Sequence, residues 1–214
     1  MKSAIIFGAS GLTGHILLEK LLLDHRYEKI KIFVRRSVDL VHPKLEQVII
    51  DYDRFYDYRS QIIADEVFCC LGTTIKAAGS RYAFRKVDYE RVKMCAEMAS
   101  VNKVKTFIVI SSLNANAASK NFYYRTKGEM ENAVRALPFE KCIILRPSLL
   151  LGSRNEFRFG EMLGKIGMIA FSFLLREHYK PVKAAVVADA MIRAANDPHT
   201  KGVLENEDIR KLGA

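Results

Sequence analysis

Two groups of residues have the types and spacing to do chemistry together. Ser111 and Ser112 stand at the end of an apolar run, Thr106–Ile110, and Tyr123 and Lys127 follow four residues apart. On a helix that spacing puts the phenol and the ammonium on one face. A free tyrosine has a pKa of about 10 and is protonated at neutral pH. A neighbouring lysine cation favours the phenolate, so Tyr123 can pass a proton between a carbonyl and an alcohol. Either serine at the strand end can hold the substrate oxygen. Tyr-x-x-x-Lys also describes an ordinary surface pair; its place after a serine-ended strand favours the catalytic reading over that one, and Tyr124 is the weaker choice of phenol.

A second constellation opens the chain. The apolar run Ala4–Phe7 breaks at Gly8, and Gly11 and Gly14 follow at intervals of three before an apolar helical stretch. Strand, glycine turn and helix start make a phosphate cradle. Gly8 permits the turn, Gly11 removes a Cβ where a pyrophosphate approaches, and Gly14 lets the helix pack on the strand. Free N–H groups at the helix start favour an anion. A tight βα turn that binds nothing is the bland alternative. Arg35-Arg36 stand 21 residues after Gly14, where an acidic residue would bind the ribose 2′-hydroxyl of NAD. Arginine instead forks to a 2′-phosphate, so the pair predicts NADP(H). Asp51, after the third strand, is either an adenine contact or a turn residue.

The elements that must position these groups alternate. Strands are predicted at 29–34, 47–50, 66–70, 106–110 and 142–145 after the first, with helices at 15–23, 56–64, 83–100 and 122–135. Val182–Val187 reads as a short strand, followed by a helix from Asp189, a strand near Val203 and a C-terminal helix. This pattern predicts an α/β fold, a doubly wound parallel sheet, whose ligands bind at the C-terminal strand ends. The 214 residues suit a single domain, with a cofactor-binding core over 1–152 and a dependent substrate-side extension over 153–214.

Composition excludes several classes. Half the residues are hydrophobic, enough for a full core, and there is no repeat or linker. Ile166–Leu175 is too short to span a bilayer, and the immediate first strand leaves no room for a signal peptide. Cys69, Cys70, Cys95 and Cys142 lack metal-ligand spacing and read as reduced thilols of a cytoplasmic protein. The net charge of +10 fits a solvated surface with anionic-cofactor sites better than a nucleic-acid partner, since no nucleic-acid motif is present.

These segments resemble the short-chain dehydrogenase/reductase superfamily, and within it the atypical branch that contains the Tat-interacting oxidoreductase and its bacterial relatives. The resemblance rests on residues 8–14, Val34-Arg35-Arg36, Cys69–Thr74, Ser111-Ser112, Tyr123-x-x-x-Lys127-Gly128-Glu129 and Leu145–Gly152, and covers essentially the whole chain. It implies a Rossmann fold, NADP(H) binding and a Ser-Tyr-Lys set. By it, Ser10, Leu12 and Thr13 line the pyrophosphate, Arg35 and Arg36 meet the 2′-phosphate, Leu71 and Gly72 pass the adenosine half, Leu150 nears the nicotinamide, and Arg158 contacts cofactor or substrate. The asparagine that other members carry in the helix after strand four has no clear counterpart; Asp88 is the nearest polar residue. The expected function is an NADP(H)-dependent oxidoreductase acting on a small carbonyl or alcohol, with 162–175 as a cover that suits a hydrophobic substrate. A non-catalytic NADPH sensor with a protein partner and a sugar-nucleotide epimerase are the alternatives.

Overall fold

The computed structural model describes residues 1–152 and 177–214. Seven parallel strands form one sheet in the order β3-β2-β1-β4-β5-β6-β9. In chain order these are β1 (Lys2–Phe7), β2 (Tyr27–Val34), β3 (Leu45–Ile49), β4 (Glu66–Cys69), β5 (Thr106–Ile110), β6 (Lys141–Arg146) and β9 (Gly202–Glu205), while β7 (Leu150–Leu151) and β8 (Val182–Lys183) pair separately. The order reverses beside β1, which pairs with β2 on one side and β4 on the other. A crevice opens at such a reversal.

Both faces of the sheet are buried, which is why its strands read as unbroken apolar runs. Side chains alternate along β1: Ala4 and Ile6 enter one core layer with Leu17 and Leu21 of α1 (Leu12–Leu23) and Met191, while Ile5 and Phe7 enter the other with Phe33, Phe55, Cys95 and Val109. The Phe7, Phe33 and Phe55 rings meet at 5.2–6.5 Å, a separation that favours tilted and edge contacts.

Three elements differ from expectation. The run at 182–187 gives only two strand residues before the helix Ala184–Asn196 begins. Its apolar residues Val187, Met191, Ala194 and Ala195 are buried at helical spacing, and that period overrides β propensity. The short helix predicted at 56–64 is a 3-10 helix that starts and ends earlier, Tyr52–Gln61. The helix predicted at 83–100 has three parts: α3 (Arg81–Arg85), a π turn (Lys86–Arg91) and α4 (Val92–Val101), preceded by the short α2 (Ile75–Ala78). The π turn changes which residues face inward, and Asp88 within it is fully buried.

The described end of the chain is built into this frame: β9 extends the sheet alongside β6, and Val187 and Met191 share a core layer with α1. No described helix is long and apolar enough to cross a membrane.

Candidate active site

The glycine loop is fixed by two of its glycines and left open by the third. Gly8 has φ +83°, and a Cβ there would lie 2.7 Å from the Cys70 carbonyl at the end of β4. A Cβ on Gly14 would lie 2.2 Å from the Gly8 oxygen, so α1 can start this close to β1 only with glycine. Gly11 donates its N–H to the Gly8 carbonyl at 2.9 Å. A Cβ there would meet only that oxygen, at 3.2 Å, and otherwise open space. The first turn of α1 has neither a side-chain cap nor an acidic residue, so its N–H groups remain available to an anion.

A cleft of about 1600 Å³ lies over this loop, lined by Gly8, Ser10, Gly11, Leu12, Arg35, Leu71 and Gly72 among others. Such a volume exceeds the ~300–1,000 Å³ of ordinary small-ligand pockets, as a two-nucleotide ligand requires. Thr13 and Gly14 are buried behind the loop. Arg36 is exposed and does not line the cleft. Asp51 takes the turn role: its carboxylate accepts the Asp53 N–H at 2.9 Å, while its neighbour Tyr52 lines the cleft. Leu150 is half-buried on β7, next to the cleft residue Leu151. Arg158 and the segment 162–175 lie outside the described residues.

The proton-transfer candidates are carried by α5 (Phe122–Arg135). Asn121 caps it, accepting the N–H groups of Tyr123 and Tyr124 at 2.9 and 3.4 Å. Gly128 allows the preceding loop to lie on the helix, since a Cβ would come within 2.1 Å of the Ala117 nitrogen. Lys127 is buried, and its Nζ lies 2.7 Å from Asp88 Oδ1. Asp88 Oδ2 accepts the Thr73 N–H at 2.8 Å, so the carboxylate is held from both sides. Burial works against the Lys127 charge, but Asp88 first and then Tyr123 outweigh it and hold the pKa above the usual lysine value. The pair sits beneath Gly72, whose missing Cβ would be 3.4 Å from Asp88 and 3.8 Å from Lys127. Tyr123 is half-buried, its ring 5.3 Å from that of Phe84.

The two serines diverge. Ser111 is buried, and its hydroxyl donates to Glu131 at 2.6 Å. Glu131 is fully buried and also accepts from Arg146, through Nε at 2.9 Å and Nη2 at 2.6 Å. Ser112 is half-buried and, among the described residues, donates only a long 3.3 Å bond to the Leu113 carbonyl. Asp88 is the residue that motif spacing did not single out as part of the site. A carboxylate inside the inward face of an otherwise apolar helix was its sequence signal.

Elsewhere the polar groups serve the frame. A cavity of about 490 Å³ at the opposite sheet end includes Lys2, Glu66 and Lys141, but Lys2 pairs with Glu66 at 2.6 Å and Lys141 donates to the carbonyls of Ala194 and Asp197. The cysteines are free; burial pushes the Cys69 thiol up to about 12 and raises Cys70 and Cys95 as well, which makes them poor nucleophiles.

Sheet order, glycine turn and cleft define the class: a doubly wound Rossmann fold with a dinucleotide-sized cleft at its switch point. A solved structure of the Bordetella bronchiseptica enzyme WbmH in complex with NAD+ superposes with a TM-score of 0.74 over 96% of this chain and 75% of that one, at 17% identity. Residues 60–176 match the HIM1 family. Protein HTATIP2 of Rattus norvegicus is 35% identical across 99% of this chain and 89% of its own length. Protein FMP52, mitochondrial, of Debaryomyces hansenii is 32% identical across 94% and 90%. The chain belongs to the HIM1 family.

The cytoplasmic placement expected from the sequence does not stand, because this and further yeast relatives are named as mitochondrial. Free thiols could not decide the matter: burial alone keeps Cys69 and Cys95 protonated and shielded, whatever the redox state outside.

Proposed function

We propose that this protein is an NADP(H)-dependent oxidoreductase acting on a small carbonyl or alcohol. One observation carries the reading: Lys127 lies buried beneath Gly72 at the cleft, one helical turn after Tyr123 and paired with Asp88. The open face of Gly11 and the uncapped start of α1 fit a pyrophosphate, and Arg35 fits a 2′-phosphate. When bound, the nicotinamide would supply or accept a hydride. Tyr123 would give its proton to the carbonyl oxygen on reduction and take it back on oxidation. Lys127 would hold the ribose and favour the phenolate, with Asp88 keeping its ammonium charged and in place. Ser112, whose hydroxyl is only weakly engaged, would orient the substrate oxygen; Ser111 is already committed to Glu131.

Fluorescence titration with NADPH, followed by a carbonyl-substrate screen, tests this. The expected outcome is NADPH binding by the parent and by Tyr123→Phe, with turnover in the variant reduced by about 100-fold or more. Equal turnover in both would sink the mechanism. The alternative of a cofactor-binding sensor draws support from the same ion pair, because Asp88 offsets part of the Lys127 charge that would activate Tyr123. NADPH binding with no turnover on any substrate would favour it.

A further inference from the structure

The far end of the cleft, beyond the glycine loop, has a cationic arrangement that differs from the adjacent pair in the sequence. Arg35 follows β2 and lines the cleft, whereas Arg36 does not. Arg91, the last residue of the π turn, does line it. Its guanidinium carbon lies 4.6 Å from the centroid of the Tyr52 ring, and its Nε is buried with no hydrogen-bond partner among the described residues. Among the described residues no carboxylate pairs with Arg35 or Arg91. Lys86, at the same cleft, is by contrast paired with Asp53 at 2.8 Å. Both arginines act on one ring: burial dominates the raised pKa of Tyr52, and Arg91 and Arg35 each oppose it. Both arginines thus line one cleft, Arg35 from the end of β2 and Arg91 from the π turn.

A buried N–H donor without an acceptor is costly, and a guanidinium held over an aromatic face is oriented before any ligand arrives. Such a group is suited to a bidentate anion. We propose that Arg91 is a specificity-determining residue of the cleft, forming with Arg35 the cationic fork for the 2′-phosphate of NADP(H), in the place that sequence adjacency gives to Arg36. The proposal rests on the dinucleotide reading above and adds a named selector to it.

Because NADPH and NADH differ only in the 2′-phosphate, titrating both separates this role from general cleft shape. The full-length parent is compared with Arg91→Met, which keeps an apolar stem over Tyr52 but no charge, with Arg91→Lys, and with Arg35→Ala and Arg36→Ala. Arg91→Met is expected to weaken NADPH by about tenfold or more, as for loss of one charge-assisted contact, and to leave NADH within about twofold. Arg35→Ala should behave alike, Arg91→Lys should recover part of the loss, and Arg36→Ala should change neither affinity. Equal weakening of both dinucleotides by Arg91→Met, or an NADPH-selective loss on Arg36→Ala but not on Arg91→Met, overturns the assignment while leaving the cofactor reading intact. A folded parent that binds neither dinucleotide sinks both.

Discussion

Two buried charges sit one turn apart on α5, and the fold treats them differently. Glu131 is saturated: Ser111, Arg146 and Arg135 all donate to its carboxylate, and Arg146 reaches on to Glu205 at 2.8 Å. Lys127 carries three ammonium protons but pairs with a single carboxylate among the described residues. The saturated cluster ties α5 to β5, β6 and β9 and has no capacity left. The sparse pair lies beneath Gly72, which lines the cleft. A frame closes its polar networks, because each unmet buried group weakens it; a site keeps donors in reserve.

The sharpest way to break this comparison is Glu131→Ala. Removing a fully buried carboxylate from among two arginines leaves charge uncompensated, a loss of about 3–5 kcal/mol. The lower end is expected because Glu205 still holds Arg146. Urea denaturation should show the midpoint falling, while NADPH affinity of the folded fraction stays within about twofold. A stability loss below about 1 kcal/mol would mean that the cluster is not a structural tie.

Asp88→Asn probes the other pair, with a smaller cost of about 1–3 kcal/mol at neutral pH. The amide still reaches the Thr73 N–H but no longer offsets the burial of Lys127. In the parent, Asp88 holds the folded lysine pKa above its usual value, so its stabilisation is full below the unfolded pKa and is lost only as pH rises through the raised one. In the variant burial dominates and the folded pKa drops below the unfolded value. The charged lysine is then a penalty at neutral pH that fades as pH rises toward about 10. The stability gap between parent and variant should therefore narrow between pH 7 and 10, read by denaturation at each pH. A constant gap would show that Lys127 charge is not what Asp88 serves.

How far these two regions were legible in the sequence follows from the range of the forces involved. Strand β5 at 106–110 and helix α5 at 122–135 have the predicted bounds, because an unbroken apolar run and a capped helical period are local signals. The glycine spacing likewise forecast which residues crowd and which stay open, since Gly8 and Gly14 are paired through one short turn. Asp88 was legible only as a polar residue near the place of the expected asparagine, not as the partner of Lys127. Its burial depends on a π turn, and its partner Lys127 comes from the next long helix, almost 40 positions later in the chain. Arg91 escaped for the same reason, since it reaches the cleft from the π turn, far in sequence from Arg35. The choice between Ser111 and Ser112 stayed open because alternation places them on opposite faces without saying which face holds a carboxylate.

That serine pair offers the mildest test and the finest one. Ser111→Ala deletes one donor to Glu131, which Arg146 still satisfies on both oxygens. The expected loss is about 1 kcal/mol of stability, typical of a single intramolecular hydrogen bond, with turnover per folded molecule unchanged. Ser112→Ala removes only a 3.3 Å bond to a neighbouring carbonyl, so stability should move by less than about 0.5 kcal/mol. If Ser112 positions the substrate oxygen, the same change should lower kcat/KM by about tenfold or more, the scale of losing one donor to a developing oxyanion. The two readouts cross: one serine costs stability without activity, the other activity without stability. Finding both effects at one position would erase the division between saturated frame and open site on which the assignment of Ser112 depends.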